Sequence, residues 1–421
     1  MKTSIYTLTS ELHDEQSVNA VTQEFLGSLD ISYDFKADDY SDYGTAPLSL
    51  IYVRTGGTEG IFRRLLPQLP NAHHPIYLLT SGKSNSLAAS MEILSYLRQQ
   101  QLQGEIIHGS AAYVSRRINL LQKAAEARRQ LQGCRLGIIG EPSDWLISSH
   151  TDPAVVKERL GIELVNISMQ ELLDSISQTP ITQHPSPITH HPSPNTQHPS
   201  PNTQHPSPIT QHPSPNTQIQ EALPGAQRIY EALKALIGKH RLQGFTLRCF
   251  DLLTAVRNTG CLALAKLNAE GYVAGCEGDV PAMLSMMIIR SLTGVSGFQA
   301  NPATIDPESG QLLFAHCTIP FDLVESYELD THYESGIGVG IRGYMATGPV
   351  TIFKASADLQ RCFIAEGQLL RNQSKADLCR TQQVIQLDHK EQASYFLTNP
   401  IGNHHIIVPG HQAELLRQVL Q

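Results

Sequence analysis

PLSLIYVRTGGTEG, Pro47–Gly60, sets an apolar run against a Gly/Thr loop, and the helix-forming segment IFRRLLPQL follows at once. A strand buried on both faces reads as a continuous apolar run bounded by turn residues, and this is one. The theme recurs. HPIYLLTSGKSNS (74–86) feeds the amphipathic LAASMEILSYLRQQ, and GEIIHGS (104–110) feeds AAYVSRRINLLQKAAEARRQLQ. CRLGIIGEPSDWLIS (134–148) precedes a helix from Pro153, and GIELVNISMQELLDSI (161–176) closes the series. Strands separated by helices predict an α/β region, a doubly wound parallel sheet with helices on both faces, over residues 1–177. Ligands of such sheets bind outside the carboxyl ends of the strands. Thr55–Glu59, Ser81–Ser86, His108–Ser110 and Glu141–Trp145 are therefore expected along one edge. None of these loops is a GxGxxG or P-loop fingerprint, so no nucleotide cofactor is indicated. Arg54 and Lys83, at strand ends, suit a phosphate or sulfonate group, although an ordinary surface charge is the commoner role for both.

The 421 residues allow two or three domains, with 41% hydrophobic and 17% charged residues. A net charge of -8 argues against a nucleic-acid partner, which calls for a basic surface. No run of 18 apolar residues predicts a membrane span. The start MKTSIYTLTSELHDE lacks the apolar core of a secretory signal, and seven cysteines without CxxC spacing suit reduced thiols, so a cytoplasmic protein is expected.

The unit His-Pro-Ser-Pro-x-Thr-Gln, with His once in the last place, begins at His184, His191, His198, His205 and His212. Proline at every second or third position removes donors and disfavours helix, so residues 178–219 are expected to be a disordered or polyproline-like insertion. Residues 220–244 read as a helix returning the chain to the α/β domain. From 245 to 421 the texture changes to short strands such as SGFQANP, QLLFAHCTIP, GVGIRG and PVTIFKA. Helices are expected near Gly260–Asn268 and Pro281–Ser291. This is the pattern of an α+β domain rich in antiparallel strands.

Within that second domain, GCEGDVPAML (275–284) places Glu277 and Asp279 between two apolar runs. A buried acid needs a partner or a metal. Other polar residues in apolar settings are Asp251, Asn301, His316, His332, Glu334, His404 and His405. Imidazoles, carboxylates and an amide drawn from separate strands form a plausible set for Mn2+ or a similar divalent ion. Two adjacent histidines in a strand point to opposite faces, so one of His404 and His405 serves a given site. Asp279 with Pro281 two residues on also matches a simple helix start. Trp145, the single tryptophan, sits in a strand-end loop suited to stacking on a sugar ring or to packing.

These residues carry a resemblance. Residues 245–421 resemble the C-terminal half of the L-fucose and L-arabinose isomerase group, and the first domain resembles that group more loosely. Those enzymes interconvert aldoses and ketoses with Mn2+ through an enediol. The resemblance implies that Glu277, in its turn opening a helix, is a metal ligand and base. The family's second metal-binding acid falls 24 residues later, after LTG, where this chain has Asn301 in SLTGVSGFQANP. His316 in FAHCTIP matches a further histidine, and the HH pair matches the last ligand, with His405 favoured by register. The implied metal set is Glu277, Asn301, His316 and His405, with Glu277 and Asp279 as catalytic groups. Asp251, His332, Glu334, His404 and Trp145 are the candidate substrate contacts. An amide ligates a hard cation and cannot act as a base. Asp279, Asp251 or Glu334 must then supply the second proton-transfer group. A non-catalytic sugar-binding or regulatory relative is the alternative that Asn301 suggests; a metal-assisted reaction on a polyol or sugar acid, for which one base suffices, is another. The group's shared active sites also imply a homo-oligomer, a trimer or hexamer.

Overall fold

The computed structural model describes residues 2–70, 75–180, 210–212 (backbone only) and 217–420. Most of the repeat, residues 181–209 and 213–216, lies outside the described residues. The chain divides into two compact units, Met1–Arg129 with Gln418–Gln421, and Gln130–Arg417.

The first unit holds a five-stranded parallel sheet built from β1 (Thr3–Leu8), β2 (Tyr33–Ala37), β3 (Ser49–Val53), β4 (Ile76–Leu79) and β5 (Gly104–Ile107). Their order is β2-β1-β3-β4-β5. Successive residues point to opposite faces, and both faces are apolar. Tyr6, Ile51, Val53 and Leu78 pack on one side with Phe62, Ile93 and Leu97 from the helices Glu59–Leu65 and Ser86–Gln99. Ile5, Leu50, Tyr52 and Leu79 pack on the other with Leu26, Val114 and Ile118 from Glu15–Gly27 and Ala111–Leu131. The doubly wound arrangement expected from the sequence is present.

The second unit contains a further parallel sheet. Its strands are β6 (Arg135–Ile139), β7 (Glu163–Ile167), β9 (Gly244–Leu247) and β10 (Val273–Cys276), in the order β10-β9-β6-β7. Between them in sequence, β8 (Thr210–His212) pairs parallel with β13 (Ser326–Asp330), which pairs antiparallel with β14 (Gly340–Tyr344). The 245 boundary read from the sequence thus falls inside a sheet, because β9 and β10 join the strands of residues 135–167. Glu141–Trp145 accordingly follows a strand of the second sheet, while the other three loops expected beside it belong to the first. The segment 178–219 also contains ordered backbone at both ends: the helix Met169–Gln178 enters it and the helix Thr217–His240 leaves it.

The remaining strands form a closed antiparallel barrel: β11 (Phe298–Asp306), β12 (Gln311–His316), β15 (Gly348–Ala355), β16 (Cys362–Gln373), β17 (Thr381–Leu387) and β18 (His405–Pro409), closed in the order β11-β12-β17-β16-β15-β18. Its core includes Phe298, Leu312, Phe314, Ile352, Ile385 and Ile407. Among the described residues no helix is long and apolar enough to cross a membrane.

The helix Val280–Thr293 adjoins both β10 and the barrel strands. Ten consecutive residues, Val280–Ile289, are buried, which makes it a core helix apolar on all sides. Asp279 starts it by accepting the Ala282 N–H at 2.8 Å, Pro281 fits the first turn, and Gly294 ends it at φ 73. Each fully buried Met, Leu or Ile there contributes about 1.5–3 kcal/mol. The helix is a rigid mount for the turn before it.

Candidate metal centre

That turn carries Glu277. Its backbone is left-handed at φ 64, and Gly278 continues left-handed at φ 72. A non-glycine residue there costs about 1–2 kcal/mol, and surrounding bonds hold it. Gln299 on β11 accepts the Cys276 N–H at 2.9 Å, Leu247 O accepts the Gly278 N–H at 3.0 Å, and Glu277 O accepts the Ser143 N–H at 3.0 Å. Only glycine fits at 278, since a Cβ would meet Glu141 O and Pro142 Cα at 2.7 Å. Strain of this kind concentrates at functional sites.

The Glu277 side chain is divided between two tasks. Oε2 accepts the Trp145 Nε1–H at 2.8 Å. Oε1 faces His316 Nε2 at 3.6 Å and His404 Nε2 at 3.5 Å. One ligand atom from each of Glu277, His316 and His404 lies within 4.8 Å of the others. Both imidazoles are aimed from behind. His316 Nδ1 bonds Thr318 Oγ1 at 2.9 Å, and His404 Nδ1 bonds Asp279 Oδ2 at 2.8 Å. His404 is fully buried, and its Nε2 has no hydrogen-bond partner.

Burial opposes charge on Glu277, yet the neighbouring His404 and His316 imidazoles hold its carboxyl far below the usual range. Burial opposes charge on His404 too, but Glu277 and Asp279 raise it to about 9. Two carboxylates thus create a field at Nε2 that favours positive charge, whether a proton or a metal ion. One carboxylate and two imidazoles, one of them with an orphaned buried nitrogen, suit a borderline divalent cation, and a carboxylate behind a ligating histidine is the usual orienting device.

The structure separates the other candidates. Of the histidine pair, His404 reaches Glu277, whereas the register read from sequence favoured His405. His405 shares the face of Ile407, turned into the barrel, and its ring packs against Phe396 at 4.9 Å and Tyr395 at 5.6 Å. Its Nε2 bonds Tyr395 OH at 3.1 Å and its Nδ1 bonds Asn403 O at 3.0 Å, and burial pulls it down to about 3, so it stays neutral. Asp279, taken as a catalytic acid, is 0% exposed and committed to the helix start and to His404. Behind it lies Lys354 Nζ at 3.6 Å, also fully buried and without a hydrogen bond. Against the cost of burial, Lys354 and His404 hold the Asp279 carboxyl at about 2. Asp251 is paired with Arg248 at 3.1 Å and is not among the grouped ligand atoms.

Asn301 lies two positions beyond Gln299 on β11, hence on the same face, and its Oδ1 is buried without a partner. Trp145 packs edge-on against Phe250 at 4.9 Å, and Phe250 against His332 at 5.7 Å, so a ring wall runs from Glu277 outward. Burial, then the neighbouring His316, holds His332 down to about 4. Glu334 is raised by burial and by Glu277. Sequence reasoning missed Lys354, Gln299, Thr318 and Phe250. Lys354 had a signal, a charge at the end of the apolar run PVTIFKA.

Comparison with known proteins finds sulfoquinovose isomerases. The one from Clostridium sp. (strain MSTE9) is 29% identical over 128 residues, 30% of this chain and 27% of the relative. Those from Priestia aryabhattai and Priestia megaterium (strain ATCC 12872 / QMB1551) are 22% identical over 296 residues, 68% of this chain and 62% of each relative. The chain thus spans less than two thirds of the length of these relatives. They are named for a sugar other than fucose or arabinose, so the likeness runs to sugar isomerases more broadly than the resemblance in the sequence implied. No family model matches the chain.

Proposed function

We propose that the protein is a metal-dependent isomerase interconverting the aldose and ketose forms of sulfoquinovose or a related sugar. The observation that carries this reading is the convergence of Glu277 Oε1, His316 Nε2 and the unpartnered His404 Nε2. Glu277, His316 and His404 would hold Mn2+ or a similar ion, with Asn301 Oδ1 as a further donor. The ion would supply polarisation of the sugar carbonyl. Glu277, kept ionised, would take the proton from the carbon beside that carbonyl and return it to the former carbonyl carbon. Asn301 cannot move the second proton between the two sugar oxygens, and Asp279 is occupied. Glu334, whose pKa is raised, is the carboxyl suited to give a proton to the carbonyl oxygen and to take one back from the neighbouring hydroxyl. Trp145 and His332 offer ring surfaces to the sugar, and the protein works as a homo-oligomer, a trimer or hexamer.

Elemental analysis of the purified protein beside Glu277→Ala tests the centre, and ketose formation from sulfoquinovose and a series of aldoses with added Mn2+ tests the reaction. Near-stoichiometric metal, lost in the variant, together with turnover is expected. Metal-free protein that converts none of the sugars sinks the proposal. Asn301 favours one second reading, a sugar-binding protein without catalysis. It predicts that sugar raises the melting temperature while no ketose forms.

A further inference from the structure

In the order β2-β1-β3-β4-β5 the chain reverses direction between β1 and β3, and the loops beyond these two strands flank the point where open α/β sheets bind ligands. The two loops are tied together. Thr55 Oγ1 accepts the Ser10 N–H at 3.0 Å, Ser10 Oγ accepts the Leu12 N–H at 3.3 Å, and a Cβ at Gly57 would meet Ser10 Oγ at 3.1 Å.

Arg54 stands at this point, one residue beyond β3 and only 9% exposed. Its guanidinium donates to Thr22 Oγ1 at 2.9 Å, to Thr9 Oγ1 at 3.2 Å and to Asn19 Oδ1. All three partners are neutral. Among the described residues no carboxylate makes an ion pair with it, and Glu15 contributes only a distant charge. Two of the five guanidinium N–H groups therefore lack a protein acceptor. A second buried polar group, the Tyr52 hydroxyl, is on the same strand face and 0% exposed. A buried cation held by neutral groups alone is costly unless an anion joins it. Thr9, Thr22 and Asn19 fix the fork in one orientation, and a planar fork with two free donors matches two oxygens of a tetrahedral oxyanion.

We propose that the β1/β3 edge of the first unit, with Arg54 at its centre, binds a small molecule through a tetrahedral oxyanion, a sulfonate or a phosphate. This inference goes beyond the isomerase reading, because Arg54 belongs to the first unit and the residues of the metal centre to the second, and the probes carry no sugar.

Hydrogen exchange of the full chain tests it, followed by mass spectrometry in sodium sulfate, methanesulfonate or phosphate against sodium chloride at equal ionic strength. Peptides covering residues 8–22 and 54–60 should be protected about tenfold at an anion concentration ten times its dissociation constant. Arg54→Gln should abolish that protection, and Arg63→Gln, at an exposed arginine of the same unit, should leave it intact. Should Arg54→Gln unfold the unit, Arg54→Lys keeps the charge without the fork and should weaken binding about tenfold. Preference for methanesulfonate and sulfate marks a sulfonate carrier, and preference for phosphate marks a phosphate ester; either supports the site. Equal exchange in all four salts, protection spread evenly over both units, or protection that survives Arg54→Gln overturns it.

Discussion

Lys354 and Asp279 form a fully buried ion pair at 3.6 Å behind His404. Coulomb attraction at that distance is about 4–5 kcal/mol for an effective dielectric near 20. Dehydrating the ammonium costs several kcal/mol, so the pair adds little net stability as a whole. Removing one member is different. Lys354→Met leaves Asp279 with only the Ala282 N–H and His404, and Asp279→Asn leaves a buried ammonium with no counter-charge. Each single change should cost about 3–5 kcal/mol. The double variant should cost less than the sum, with a coupling of about 2–3 kcal/mol. Urea unfolding with a chelator present measures all four proteins. The single tryptophan, Trp145, lies in the second unit against Phe250 and Glu277, and its fluorescence reports that unit. Costs that add to within about 0.5 kcal/mol would refute the claim that Lys354 neutralises Asp279.

Three further outcomes follow from the same geometry. Trp145→Phe keeps a ring against Phe250 and removes the N–H from Glu277 Oε2, so metal affinity should fall about tenfold in competition with a chelating dye while the far-UV circular dichroism is unchanged. Gly278→Ala combines a left-handed backbone with a Cβ 2.7 Å from backbone atoms, and should cost about 3 kcal/mol or more in urea unfolding and weaken metal binding with it. His332 is held down to about 4 in the folded protein against about 6.5 unfolded, so the unfolded chain binds more protons between those values. Its stabilising contribution is complete above pH 6.5 and is lost, by about 2–3 kcal/mol, as pH falls towards 4; His332→Gln should flatten the stability–pH curve in that window.

Three strands of the first sheet, β3, β4 and β5, were legible because each is a short, largely apolar run that meets Gly, Ser or Thr within a few residues and is followed by a helix; β1 was not singled out, and β2, a half-polar YDFKA that leads into β3 without a helix, carries no such signal. The second sheet was not legible. β9 and β10 are four residues each, and β6, which pairs with β9, lies with its neighbour β7 on the far side of the proline repeat, so local pattern carried no sign of the pairing. Glu277 and His316, which the structure brings together with His404, were singled out through motif and order. The choice between His404 and His405 needed the register of β18: alternation says that the two diverge, and only the placement of Ile407 in the barrel core says which way. Asp279 was read as an acid among candidate acids, whereas its surroundings make it a support for its neighbours. Lys354 escaped notice because a lysine at a strand end is ordinarily assumed to reach for water.

The three side chains proposed as ligands come from positions 277, 316 and 404, and the last is held by the strand that closes the barrel between β11 and β15. During synthesis the first sheet, the second sheet and most of the barrel can form before His404 leaves the ribosome, but the centre cannot. Metal uptake would then wait for β18, and be a sensitive indicator that this strand has found its place. Preparations with a correct fold elsewhere and a frayed β18 should separate from intact protein by metal content alone.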